Sequence, residues 1–299
     1  MRFSLEVAPL TLLKPACARL LPQLPSGTQV FLPSLPADPP DAIGRALGLL
    51  RREAPGVVPV PHVPARRIGS LAELERRLCA WQRDSGDRVR EALVVRGDPH
   101  AHHGGSSGGA AAPAAEYENT LELLETGVLQ RCGLDAVSLC GHPEGVGPLS
   151  TEQARAALAA KLEWAAASDM SARVVTQFCF DAGTTAAYVD ALRSDGATAP
   201  VSLGVVGPCA RSSRVRMAER CGVKPPADAD HVEGGAAADD AWPWDYARTL
   251  ARWQAARGAS RGAQALHLYP FGGLGMTLEW LSAAAADDAA AGLGLEPLP

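Results

Sequence analysis

Short apolar runs rich in β-branched residues recur along the chain, each followed by a stretch of helical character. They are 2–7 (RFSLEV), 29–32 (QVFL), 56–60 (GVVPV), 92–95 (ALVV), 136–139 (AVSL), 173–176 (RVVT), 200–206 (PVSLGVV) and 265–268 (ALHL). Runs this short, bounded by Gly, Pro or Asp, fit strands buried on both faces of a parallel sheet. Between them lie amphipathic or alanine-rich segments, clearest at 70–83, 116–131, 150–167, 210–221 and 239–257. Ser70 with Glu73, and Ser150 with Gln153, have the spacing of helix-starting capping boxes. Eight strands alternating with about eight helices predict an α/β fold, a single-domain (β/α)8 TIM barrel spanning residues 1–281. A doubly wound open sheet is the competitor. It more often carries a glycine-rich turn after its first strand, where this chain has EVAPL. Residues 100–115 (HAHHGGSSGGAAAPAA) are low in complexity and predict a loop after the fourth strand; 282–299 predict a short helix and a loose tail.

Composition narrows the classes. Of 299 residues, 47% are hydrophobic and 20% charged, with a net charge of −5 and no basic stripe, which speaks against nucleic acid as a partner. The start lacks the basic region and apolar core of a signal peptide, and no run is long enough to span a bilayer. The expectation is a cytoplasmic chain without a membrane partner. Cysteines 17, 79, 132, 140, 179, 209 and 221 form no CxxC pair and read as reduced thiols, so neither a disulfide scaffold nor a metal site is expected; HAHH is assigned no role.

The candidate chemistry gathers where the strands end, because barrel loops converge there. Those exits carry Glu6, Ser34, His62, Arg96-Gly97-Asp98, His142, Gln177 and Tyr269. Several proton-exchanging groups buried at adjacent exits would be costly without a purpose, which points to a functional pocket. Each has a plainer reading too. Glu6 could sit in a structural ion pair, Asp98 could cap the next segment with Arg96 as its surface partner, and His62 lies in a proline-flanked turn, VPHVP.

Taken together, the exits resemble the methylenetetrahydrofolate reductase family. The matching segments are SLEVAP at 4–9, PH at 61–62, VVRGDP at 94–99, HPE at 142–144, Lys161, TQFCFD at 176–181 and HLYPFGG at 267–273, in family order over residues 2–280. The resemblance implies reduction of 5,10-methylenetetrahydrofolate to 5-methyltetrahydrofolate with hydride from NADH or NADPH, through bound FAD in most members. It makes Glu6 the general acid, its carboxyl kept protonated near neutral pH by desolvation. Asp98 becomes the carboxylate that holds the pterin and stabilises the iminium, and Gln177 the amide that positions folate, with Phe180 and Tyr269 among the substrate contacts. His62, Arg96, Gly97, Asp98, His142 and Lys161 fall where the family touches its flavin.

Departures from the family pattern leave two hydride routes open. His142 stands where a Tyr is common, and Val146 near the place of a His. The stretch QARAALAAK has Ala where polar flavin contacts are usual, and GVVGPCARSS lacks the usual stacking aromatic. The alternative to FAD is direct transfer from nicotinamide to folate. Two further readings use the same pocket: a tetrahydrofolate-dependent methyltransferase or demethylase, and a non-catalytic folate-binding protein. A homo-oligomer is compatible with all of them.

Overall fold

The computed structural model describes residues 2–97, 116–226 and 242–287. Its strands are β1 (Arg2–Glu6), β2 (Gln29–Leu32), β3 (Val58–Pro64), β4 (Glu91–Val95), β5 (Ala136–Gly141), β6 (Ser171–Thr176), β7 (Val201–Val206) and β8 (Ala265–Tyr269). Each pairs in parallel with the next, and β8 returns to β1 in the register Arg2↔Ala265 to Leu5↔Leu268, which closes the barrel. Around it run α1 (Pro9–Leu12), α2 (Pro15–Ala18), α3 (Ala42–Glu53), α4 (Leu71–Ser85), α5 (Thr120–Glu125), α6 (Val128–Arg131), α7 (Thr151–Ala167), α8 (Ala182–Ser194), α9 (Arg211–Cys221), α10 (Trp244–Arg261) and α11 (Leu274–Ala285). The fold expected from the strand pattern is therefore the observed one.

The period-two alternation of a strand decides what faces the helices and what faces the lumen. Leu5, Val30, Leu32, Val63, Val94, Leu139, Val174, Leu203, Leu266 and Leu268 belong to the main apolar core beneath the helices. Burying each such side chain contributes roughly 1.5–3 kcal/mol. The alternate residues point inward, as contacts between strands that are not neighbours require. Gln29 on β2 donates to Glu91 on β4 at 2.6 Å and accepts from Arg173 on β6 at 2.8 Å. Arg173 also pairs with Glu91 at 2.9 Å, and the Ser138 hydroxyl donates to the same carboxylate. This closed polar network fills the N-terminal end of the lumen. Two residues further along the same strands, Phe31, Leu93 and Val175 join Val60 in an apolar plug that separates the network from the C-terminal mouth.

Local chemistry explains the element boundaries. Ser150 and Gln153 form a complete capping box, at 3.3 and 2.9 Å. Ser70 accepts from the Glu73 amide at 3.1 Å, while the Glu73 carboxylate reaches back to the Gly69 amide instead, at 3.2 Å. The helix expected over 116–131 divides into α5 and α6 at Gly127, whose φ of 67° no regular helix accommodates. The VPHVP stretch is strand, not turn. Proline is tolerated there because β3 pairs with β2 through Val58–Pro61 and with β4 only beyond it, through His62–Pro64. α11 buries Leu274, Leu278, Trp280 and Leu281 and runs past residue 281 to Ala285. α9 is an extra helix between β7 and the return helix α10, and its last turn stands at the barrel mouth. No described helix is long and apolar enough to cross a membrane.

Candidate functional site

The mouth encloses a cavity of about 510 Å³ whose walls include Glu6, His62, His142, Gln177 and Tyr269. Five of the expected strand-exit residues therefore converge on one space. Glu6 ends β1, and its Oε2 lies 3.4 Å from His62 Nε2 and 3.4 Å from His267 Nε2. The first contact is close but lacks hydrogen-bond geometry, whereas the second is a hydrogen bond. Ser4 Oγ sits 2.9 Å from His267 Nδ1, with the Leu266 carbonyl 3.3 Å away. An ionised Glu6 calls for a proton on His267 Nε2, which leaves Nδ1 of a neutral ring to accept from Ser4. The fully buried Phe31 meets His267 edge-on at 4.6 Å and His62 at 6.3 Å, so the plug fixes both rings.

The electrostatics reverse one expectation. Burial by itself raises the Glu6 carboxyl, but the neighbouring His62 and His267 imidazoles outweigh it and bring the pKa from 4.5 to about 2. Glu6 is thus a carboxylate at neutral pH, not the protonated acid that an apolar strand end suggested. Desolvation acts instead on the imidazole: burial holds His267 below its usual range, with Glu6 pulling it partly back. Glu6 is thereby part of a carboxylate–imidazole group with Ser4, His62 and His267.

The opposite wall is less charged. Burial lowers His142 from 6.5 to about 4, with the Lys161 charge acting in the same direction. Lys161, on α7, is itself lowered by burial, and Cys140 is raised to about 11. Lys161 acts on both Cys140 and His142 from behind the wall, without lining the cavity. The Gln177 side-chain carbonyl accepts from the Phe178 amide at 3.0 Å, which orients its NH2 group. The buried Tyr269 hydroxyl donates to the Thr176 carbonyl at 3.3 Å, so its ring, stacked edge-on against His267 at 4.9 Å, forms the wall.

Other candidates stand apart. Arg96 is directed at the Glu118 carbonyl, 3.4 Å away, and does not line the cavity. Gly97 adopts φ 73°, and a Cβ there would lie 2.8 Å from Pro64 Cβ, a backbone reason for glycine. Ser34 accepts from Arg67 at 2.7 Å and borders a separate cavity. Phe180 packs on Phe178 at 5.6 Å and Trp242 at 5.4 Å, outside the walls. Asp98 and the whole of residues 100–115 lie outside the described residues. The seven cysteines, all among the described residues, form no disulfide, and the described residues contain no His/Cys/Asp/Glu cluster suited to a metal.

Sequence reasoning missed Ser4, His267 and Phe31 as members of the site, although strand alternation signals all three: Ser4 precedes Glu6 by two positions, His267 precedes Tyr269 by two, and Phe31 follows the polar Gln29 by two. It also missed Phe271, which supplies an aromatic wall 5.3 Å from Phe178 where the loop after β7 has none. Chemically, the site can hold and move a proton at its floor, hydrogen-bond a heterocycle through Gln177, and enclose a flat ring between apolar walls.

No family model matches the sequence. Among solved structures, the chain is similar in fold to an uncharacterized protein from Clostridium thermocellum described as binding two copies of 5-methyl-5,6,7,8-tetrahydrofolic acid. The TM-score is 0.53 at 9% identity, over 90% of this chain and 88% of that one. At that identity the likeness speaks to the fold.

Proposed function

We propose that the barrel mouth binds a reduced folate and reduces its 5,10-methylene group with NADH or NADPH. The observation that carries this reading is Glu6 held between His62 and His267 at the floor of a cavity that Gln177 also lines. A tetrahydropterin needs those features: a flat apolar slot, an amide for its ring edge, and a proton source beside its bridging nitrogens. The folate ligand of the similarly folded protein agrees with it.

In the proposed reaction, one folate nitrogen takes a solvent proton relayed through Glu6 as the five-membered ring opens to an iminium. Glu6 then stabilises the cationic carbon centre by its charge. The nicotinamide supplies the hydride that converts the iminium CH2 to a methyl group. With Glu6 ionised in the empty site and His267 a neutral ring, the proton reaches the folate nitrogen from solvent by way of the Glu6 carboxylate, with Ser4 holding the His267 tautomer.

The flavin implied by the resemblance does not fit these residues. A diphosphate needs several charged or N–H donors. His142 is neutral, Arg96 is turned to Glu118, and Arg155 of α7 is engaged with Asp195 at 2.8 Å. Lys161 behind this wall and Arg220 in the cavity lining are the lysine and arginine side chains that remain at this site among the described residues, fewer than a diphosphate needs. Direct hydride transfer is therefore the route proposed. Purified protein should be colourless and should oxidise NADH or NADPH only when 5,10-methylenetetrahydrofolate is added. Folate binding without such turnover would support a non-catalytic binder, a reading favoured by the ionised state of Glu6. Methyl transfer from a donor substrate, with no nicotinamide needed, would point to the methyltransferase class.

A further inference from the structure

The cavity lining carries opposite charges from different elements. The Glu6 carboxylate comes from the end of β1, the exposed Arg220 guanidinium from the end of α9, and most of the other lining side chains are apolar. Met217 and Cys221, one turn before and one residue after Arg220, also line the space, so this face of the last turn is the one presented to the mouth. The other arginines on the same helix are occupied. Arg214 donates to the Cys209 carbonyl at 2.8 Å and lies over Trp242 at 5.5 Å, and Arg216 donates to Ser213 Oγ at 3.1 Å. Arg220 is exposed and has no partner among the described residues.

A flat ring seated on Glu6 and Gln177 would extend a substituent towards the exposed part of the lining, to which Arg220 belongs together with Cys221 and the half-buried Met217. We infer that Arg220 anchors a carboxylate on the tail of the bound ligand, so the site selects pterins bearing an anionic aromatic tail over the bare ring. This rests on the folate reading and adds to it the end of the ligand farthest from the chemistry. Charge opposite charge at each end would also fix the orientation of the ligand, ring inward and tail outward.

Calorimetric titration of wild-type protein and Arg220→Gln with 5-methyltetrahydrofolate and with 6-methyltetrahydropterin tests it, with the thermal midpoint as a check on folding. The expected result is a loss of about fivefold in folate affinity at low salt, the size of one partly exposed ion pair. Pterin affinity should be unchanged. The wild-type advantage should shrink as salt rises, since the pair is open to screening. An unaltered folate affinity in a folded variant would overturn the inference while leaving the folate reading intact. So would an equal loss for both ligands. Wild-type protein that binds neither pteridine would overturn the folate reading itself.

Discussion

Replacing Glu6 by Gln removes a negative charge from between two imidazoles while preserving shape. The drop in its pKa from 4.5 to about 2 measures how much the folded protein prefers the ionised form. At about 1.4 kcal/mol per pH unit this corresponds to roughly 3 kcal/mol. The side chain is 20% exposed, so solvent screening trims the figure, and about 2 kcal/mol is expected at pH 7. The direction follows from linkage. A carboxyl whose folded pKa is depressed stabilises the fold fully above its unfolded value of 4.5, and that stability is lost as pH falls towards 2. Urea unfolding of both proteins at pH 7 and again near pH 3 is the assay. Wild type should be the more stable at pH 7, with the gap more than halved at the lower pH. A Gln variant as stable as wild type, or more stable, at pH 7 would mean that Glu6 is neutral in the folded state, and the carboxylate–imidazole account would be wrong.

Other consequences are as specific. Glu6→Gln should also abolish folate reduction while binding changes little; an unaltered turnover number removes Glu6 from the chemistry. His142, held near 4 against 6.5 in the unfolded chain, should cost the fold up to about 3 kcal/mol as pH drops from 6.5 to 4, because the unfolded chain takes up the proton first. A His142→Gln variant should show a flatter stability profile across that window, and identical profiles would contradict the shift. Gly97→Ala combines a φ of 73° with a 2.8 Å approach to Pro64 and should lose about 1–3 kcal/mol in a thermal or urea melt. Ser4→Ala leaves His267 Nδ1 without its hydroxyl and should slow reduction more than it weakens folate binding; equal effects on both would assign Ser4 a purely structural part.

Much of this architecture could be read from strand alternation alone. Leu5, Val30, Leu203 and Leu268 mark the outer face, and the residues between them fall inside the barrel, where polar side chains demand a reason. Reading exits as single residues lost part of that information. Glu6 was found, but Ser4 and His267, in the same inward register on adjacent strands, form its immediate surroundings. The protonation of Glu6 was misjudged for the same reason: the apolar strand predicts desolvation, whereas the deciding charges come from β3 and β8, far away in sequence. Arg96 and Phe180 share the strand-exit neighbourhood yet turn towards Glu118 and Trp242, since loop geometry, not sequence position, sets their direction. Proline-rich β3 was shortened because its split pairing with two neighbours leaves no local signature.

Titration of the purified chain with 5-methyltetrahydrofolate, followed by calorimetry, bears most directly on the central claim that this barrel mouth is a reduced-folate site. The account predicts saturable binding that Gln177→Ala weakens roughly tenfold, the value of a lost hydrogen bond of about 1.4 kcal/mol. No saturable heat with wild-type protein, or full affinity retained by the Gln177 variant, would contradict it.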